Sequence, residues 1–150
     1  MHKHGAGTKV AAPYIQRPAM SAPITLQKSP QGQLAFTVKV GRNAFTADVS
    51  AELGGDDLGP DPHDLLDASL GACTALTVMM VARRKKMPLE DILVSITHTE
   101  TGEVYQLNRS IKFIGALTAE QRDYLLGIAD KCPIHKALHK PFEIVTTLAA

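Results

Sequence analysis

The chain contains two cysteines, Cys73 and Cys132, and these are the residues best suited to nucleophilic chemistry. The N-terminal segment has no continuous apolar core of the kind a secretory signal requires, which predicts a cytoplasmic protein in a reducing compartment. There a cysteine pair more often performs redox chemistry or binds a metal than forms a permanent crosslink. The alternative is two inert cysteines packed in the core, since free cysteine is among the most buried residue types.

Local charge favours Cys132 as the more nucleophilic of the two. It precedes Pro133, where a short helix is predicted to begin, and Lys131, His135 and Lys136 are close in sequence. A thiol at a helix N-cap near cations is expected to have a lowered pKa.

Cys73 lies about three turns into a long predicted helix, where the helix dipole has faded. We expect it to be buried, so any reactivity requires a donor or cation supplied by the tertiary fold. Helical spacing places it beside five residues: Leu66, Leu70, Leu76, Thr77 and Met80.

A metal site is a further alternative, because Cys132, His135 and His139 have the spacing C-x2-H-x3-H and Cys73 could supply a fourth ligand. Structural zinc sites usually draw two ligands from a second local knuckle, which Cys73 lacks. We therefore expect no bound metal and interpret the histidines as solvated surface residues.

The length and net charge of the chain argue against several other classes of protein. A chain of 150 residues fits one compact domain, and a net charge of +1 offers no strong field for nucleic acid or an anionic membrane. No run of 18 apolar residues occurs.

We predict a flexible tail over residues 1–23, which has three prolines and no acidic residue, and one domain over 24–150. Whether residues 1–19 are native stays open, because Met20 could be the natural start.

Apolar periodicity predicts an α+β fold with antiparallel hairpins. The predicted order begins with strands at 34–40 and 45–49 and a helix that Asp61 caps and that runs from Pro62 to about Lys86. Strands near 92–96, with Ile92, Val94 and Ile96 on one face, and at 104–114 come next. A helix opened by a capping box of Thr118 and Gln121 runs to near Lys131, and a short helix at Pro133 and a terminal strand at 142–148 complete the order. The long helix is almost uncharged between residues 65 and 82 except for Asp67. One small domain offers such a helix too little cover, so we expect a dimer.

Two segments together resemble the cysteine motifs of the OsmC/Ohr family. Residues 59–74, GPDPHDLLDASLGACT, are similar to its first cysteine helix, and residues 129–138, ADKCPIHKAL, to its second motif. The resemblance extends over residues 33–148.

This resemblance implies an OsmC-like fold in which antiparallel β-sheets wrap around long central helices of an intertwined homodimer. It further implies a thiol peroxidase that reduces organic hydroperoxides without a cofactor, with an external dithiol as reductant. Cys73 would be the peroxidatic cysteine and Cys132 the resolving one. An apolar lining of Leu70, Leu76, Met80 and either Phe36 or Phe45 would suit a hydrophobic peroxide.

The chain departs from the family where the first cysteine is activated. Members carry a glutamate ten residues before this cysteine, which orients an arginine, and this chain has His63 there, with Asp64 as a neighbouring acid. Arg42 and Arg109 are the candidate arginines. The departure leaves a second hypothesis open, a non-catalytic member that binds an apolar small molecule at the dimer interface.

Overall fold

A computed structural model describes residues 22–149 of the chain. Within these residues, five strands and three α-helices follow one another in the order β1 Ile24–Lys28, β2 Phe36–Val40, β3 Asn43–Ala47, α1 Pro62–Arg84, β4 Asp91–Thr101, β5 Val104–Ile114, α2 Ala119–Ala129 and α3 Pro133–Leu138. A short 3-10 helix, Ala51–Leu53, precedes α1. The predicted α+β class is confirmed. Of the predicted tail, residues 1–21 lie outside the described part of the chain.

The described residues divide into two compact units. One contains residues 22–72 and Val94–Ile111, and the other Cys73–Leu93 and 112–149. Both α1 and the β4–β5 hairpin contribute residues to each unit.

The first unit contains an antiparallel sheet in the order β1-β2-β3. Val38 on β2 pairs with Leu26 on β1 and with Phe45 on β3, and it is buried. The two predicted strands correspond to β2 and β3, shifted by about two residues. Strand β1 was not predicted, because its alternating Ile24 and Leu26 border the segment interpreted as a tail.

Helix α1 begins where its capping residues require. The backbone N–H of Asp64 donates to Asp61 Oδ1 at 2.9 Å, which confirms Asp61 as the N-cap, and Pro62 takes the first helical position. The helix ends at Arg84, two residues earlier than predicted, and Lys86 has a left-handed φ of 54°.

Burial along α1 is uneven in the single chain. Leu70, Val78 and Val81 are buried, whereas Leu76 is 55% exposed and Met80 is also exposed. By length and composition this helix could cross a membrane, a test that core helices of soluble proteins also pass.

Strands β4 and β5 form the second predicted hairpin, a two-stranded sheet. Half-buried and exposed side chains alternate along β5 and along β4 as far as Ile96, after which the residues of β4 are exposed. Ile92, Val94 and Ile96 occupy the half-buried face of β4, as predicted. Gly102, with a φ of 62°, lies in the connecting turn.

Helix α2 opens with the predicted capping box, in which Thr118 and Gln121 bind each other's backbone N–H. Arg122 on α2 donates to the carbonyl oxygens of Phe113 and Gly115, both at 3.1 Å, and so attaches the helix to the end of β5. Pro133 occupies the first turn of α3 as expected.

The predicted terminal strand at 142–148 is wrong for the described chain. Residues 141–149 form no helix or strand. A strand needs a hydrogen-bonded neighbour, which sequence alternation alone does not supply. Ile144 is 87% exposed and Leu148 fully exposed, so the apolar residues that suggested the strand lie uncovered.

Candidate functional site

Cys132 occupies the N-cap of α3, as predicted. Its Sγ accepts a hydrogen bond from the backbone N–H of His135 at 3.3 Å, and Pro133 has no N–H to compete. The side chain is fully buried. Because the cap is formed within α3 itself, the sulfur is held at a defined position.

Cys73 lies beside the same turn of α3. Its Sγ accepts a hydrogen bond from the backbone N–H of Ile134 at 3.5 Å, so the two sulfurs bind consecutive N–H groups, those of Ile134 and His135. Cys132 is also among the groups that raise the pKa of the Cys73 thiol. The fold therefore brings together two cysteines that are 59 residues apart in sequence.

Cys73 is half-buried rather than buried, which corrects the expectation. The side of α1 on which Cys73 lies is only partly covered by the rest of the chain. Leu70 and Thr77 are buried, whereas Leu76 and Met80 are exposed. The sulfur is thus more accessible than that of Cys132.

Two buried threonines of α1 belong to the surroundings of the sulfurs. Thr74 Oγ1 lies 3.8 Å from Cys132 Sγ, and the Thr77 hydroxyl is among the groups that lower the pKa of the Cys73 thiol. Both threonines are at most 4% exposed. Sequence reasoning assigned Thr77 to the Cys73 side but gave it no role. The available signal was a hydroxyl at i+4 on an otherwise apolar helix.

Burial is the main influence on Cys73 and raises the pKa of its thiol. The Ile134 N–H and, to a smaller extent, the Thr77 hydroxyl oppose this by lowering the pKa, while Cys132 raises it further. The opposing contributions come from neutral donors, and none is a cation.

The candidate arginines and Asp64, which were considered as activating residues for Cys73, lie on three different elements of the fold. Arg42 is exposed in the turn between β2 and β3. Arg109 is half-buried on β5, on the same strand face as Tyr105. Asp64 lies in the first turn of α1, where its Oδ2 accepts from the backbone N–H of the N-cap residue Asp61 at 3.4 Å.

His63 belongs to a polar cluster with Asp67, His98, Tyr105 and Glu100. Its Nδ1 lies 3.2 Å from the Tyr105 hydroxyl and 4.0 Å from Glu100 Oε1. His98 Nδ1 lies 2.6 Å from Asp67 Oδ2, and the Tyr105 hydroxyl donates to Asp67 Oδ1 at 3.4 Å. The rings of His98 and Tyr105 stack with centroids 5.0 Å apart. Asp67, the isolated charge of the helix centre, is thus paired with partners from β4 and β5.

Asp67 raises the pKa of His98, mainly through their hydrogen bond. Burial, followed by the nearby carboxylates, raises the pKa of Tyr105. A cleft of about 360 Å³ opens beside the cluster and is lined by Asp61, His63, His98, Thr99 and Glu100. The cluster joins distant segments, which is why sequence reasoning missed it.

Within residues 22–149, no group of three or more histidine, cysteine, aspartate or glutamate side chains is arranged to hold a metal ion. His139 Nδ1 lies 2.8 Å from the backbone oxygen of His135, and the two rings are 4.5 Å apart. The proposed ligands of the C-x2-H-x3-H spacing therefore do not form a set around one point.

Solved structures of OsmC-like proteins share this fold. A provisionally assigned osmotic stress induced and detoxification response protein from Psychrobacter arcticus is 18% identical, with a TM-score of 0.67 over 84% of this chain and 93% of its own. An organic hydroperoxide resistance protein OsmC from Legionella pneumophila is 20% identical, with a TM-score of 0.59 over 82% and 92%. An OsmC like protein from Mycoplasma pneumoniae is 17% identical, with a TM-score of 0.60 over 79% and 89%.

No curated protein sequence matches the chain significantly. The family model described as OsmC-like protein matches residues 54–147, a segment that includes α1 with Cys73 and α3 with its N-cap Cys132. This match covers more than half of the chain and agrees with the α+β fold, so the chain belongs to the OsmC-like protein family.

Proposed function

We propose that this protein is a thiol-dependent peroxidase that reduces organic hydroperoxides to alcohols. The observation that carries the proposal is the shared position of Cys73 and Cys132, whose sulfurs accept hydrogen bonds from consecutive N–H groups of α3. Family membership supports the same reaction, since one solved relative is named an organic hydroperoxide resistance protein.

Cys73 is the peroxidatic cysteine in this proposal because it is the more accessible sulfur. Its thiolate attacks one peroxide oxygen, the O–O bond breaks, and the alkoxide takes a proton and leaves as the alcohol. Cys73 gains the oxygen and becomes a sulfenic acid. The Ile134 N–H and the Thr77 hydroxyl are the donors that stabilise the attacking thiolate.

Cys132 then resolves the sulfenic acid. Its thiolate attacks the Cys73 sulfur, the S–O bond breaks, and the oxygen leaves as water, which forms an intramolecular disulfide. An external dithiol reduces this disulfide by two electrons and restores both thiols. The cycle requires no bound cofactor.

Substrate preference in this proposal follows from the apolar residues around Cys73. Leu76 and Met80 present exposed apolar side chains one and two turns further along α1. Apolar surface beside the thiol favours a hydroperoxide with a hydrocarbon substituent over hydrogen peroxide.

The uncovered apolar residues support the proposed homodimer. Phe142, Ile144, Val145 and Leu148 are all at least 71% exposed, and isolated proteins seldom leave so continuous an apolar segment in water. A second copy would cover this segment and the exposed side of α1. We propose that the dimer works in the cytoplasm, where dithiol reductants are present.

A second candidate function is binding of an apolar small molecule without catalysis. Burial raises the pKa of Cys73, and His63 stands where relatives carry a glutamate, so Cys73 could remain protonated and idle. The apolar surface beside Cys73 would then serve only for binding.

Turnover of cumene hydroperoxide with dithiothreitol distinguishes the two functions. The wild type is expected to consume peroxide over many turnovers, and Cys73→Ser only at the uncatalysed rate. Without reductant, Cys132→Ser should consume one equivalent and retain an oxidised Cys73 that dimedone traps. Equal consumption by wild type and Cys73→Ser would contradict the peroxidase.

A further inference from the structure

Thr74 makes a polar contact with the buried cysteine. It directly follows Cys73 on α1, and its Oγ1 lies 3.8 Å from Cys132 Sγ, in a hydrogen bond for which either atom can be the donor. Cys73 itself accepts from the backbone N–H of Ile134 in the first turn of α3. Two consecutive residues of α1 therefore make polar contacts with the start of α3, and each contact involves one of the two sulfurs.

The contact between Thr74 and Cys132 is made where water is excluded, since both residues are fully buried. A buried hydroxyl costs free energy unless it is hydrogen-bonded, and a valine of similar shape would avoid that cost. The hydroxyl of Thr74 is therefore not explained by packing alone.

The polar groups near the Cys132 sulfur differ in the protonation state that they can serve. The backbone N–H of His135, 3.3 Å from the sulfur, can only donate, so it suits the thiolate and cannot accept the S–H hydrogen of the thiol. The Thr74 hydroxyl can accept that hydrogen in the resting thiol and, by rotating, can donate its own to the thiolate. One hydroxyl thus serves both states of a sulfur that water does not reach.

We infer that Thr74 is a further residue of the resolving step, which holds Cys132 Sγ in place as the thiol and donates a hydrogen bond to its thiolate as it attacks Cys73. The inference deepens the proposed peroxidase function and rests on it. Thr74 keeps its own hydrogen throughout. The Cys132 thiolate forms the S–S bond, the S–O bond of the sulfenic acid breaks, and the leaving hydroxide takes up the proton released by Cys132 as water.

The resolving step can be observed without peroxide by using the aromatic disulfide dithiobis(nitrobenzoate). Cys73 attacks the reagent and releases a first thionitrobenzoate, in a phase whose rate depends on the reagent concentration. Cys132 then attacks the mixed disulfide at Cys73 and releases a second thionitrobenzoate, in a phase whose rate does not. Cys132→Ser should show the first phase alone, which assigns the two phases.

Thr74→Val removes the hydroxyl and keeps the shape of the side chain. It should leave the first phase unchanged and slow the second roughly three- to tenfold. A hydrogen bond to a charged sulfur favours thiolate formation by roughly ten- to a hundredfold, and about half of that gain, on a logarithmic scale, is returned as lower nucleophilicity. Thr74→Ala, which also lacks the hydroxyl, should slow the second phase to a similar extent.

Two variants separate the hydrogen bond from packing. Thr74→Ser keeps the hydroxyl and should restore the second phase. Val78→Ala removes buried volume one turn further along α1 and should leave the second phase unchanged. Because this phase involves no peroxide, failure of this test and failure of peroxide turnover are separate results.

The role of Thr74 would be overturned by an unchanged second phase in both Thr74→Val and Thr74→Ala, or by an equal slowing in Thr74→Ser or Val78→Ala. Absence of a second phase in the wild type would also overturn it.

Discussion

His98 Nδ1 on β4 lies 2.6 Å from Asp67 Oδ2 on α1, so the buried carboxylate of this apolar helix has a histidine partner. Tyr105 from β5 binds the second oxygen of the same carboxylate at 3.4 Å. One side chain of α1 is thus attached to both strands of the hairpin. A buried charged group is costly unless it is paired, so the two partners stabilise the packing of α1 against the hairpin.

The His98–Asp67 pair predicts a specific pH dependence of stability. Because Asp67 raises the pKa of His98 in the folded state, the stabilisation is fully present below the unfolded histidine pKa of about 6.5 and is lost as pH rises through the raised value. Urea unfolding of the wild type and His98→Gln between pH 5.5 and 9 should show a stability difference that is largest at the acid end and shrinks towards the alkaline end.

Tyr105→Phe provides the control for this prediction, because it removes the hydroxyl donor and keeps the stacked ring. It should lower stability by a similar amount at each pH below the range where tyrosine ionises. A His98→Gln difference that did not vary with pH would contradict the ion pair.

Gly59 precedes α1 at a point of close backbone approach. A Cβ added there would overlap the carbonyl oxygen of Thr46, so the loop that carries the Asp61 cap would have to move. Gly59→Ala is expected to destabilise the fold by about 2–3 kcal/mol, measured by urea unfolding.

Gly127→Ala is the matched control for Gly59→Ala. Gly127 lies within α2, where an added Cβ meets nothing within 4 Å. Alanine favours the helix by about 0.5–1 kcal/mol over glycine, so this variant should be at least as stable as the wild type. Equal losses in the two variants would contradict the close approach at Gly59.

The exposed C-terminal segment predicts a concentration-dependent dimer. In a symmetric dimer, Ile144→Asp removes an apolar contact from both copies, about 3–6 kcal/mol in total, and should raise the dimer Kd by roughly 10²- to 10⁴-fold. Sedimentation or light scattering across a dilution series measures the effect.

Leu53→Asp is the control for the dimer prediction, since Leu53 is a similarly exposed leucine of the short 3-10 helix. It should leave the Kd unchanged. A wild type that stays monomeric at high concentration, or a dimer equally sensitive to both substitutions, would exclude the C-terminal segment as the contact.

Sequence patterns predicted the elements whose signals are local. The Asp61 and Thr118 caps, the Cys132 N-cap and the alternation of β5 each depend on residues within one or two turns or on one strand, and each is confirmed. The α+β class and the family followed from the same signals and from the two cysteine motifs.

Features that depend on distant partners were missed or wrong. The Asp67, His98 and Tyr105 cluster joins α1 to a hairpin 31 and 38 residues away, and no spacing rule predicts such a pair. The terminal strand was predicted from alternation alone, although a strand also needs a neighbour. The half-burial of Cys73 depends on which side of α1 the rest of the chain covers.

The central claim is that Cys73 and Cys132 form a redox pair, and a titration of free thiols tests it most directly. Reduced wild-type protein is mixed with one equivalent of cumene hydroperoxide per chain, denatured in acid, and its thiols are counted. The account predicts a loss of both thiols from each chain, with Cys73 and Cys132 recovered in one disulfide-linked peptide pair. Persistence of two free thiols per chain would contradict it.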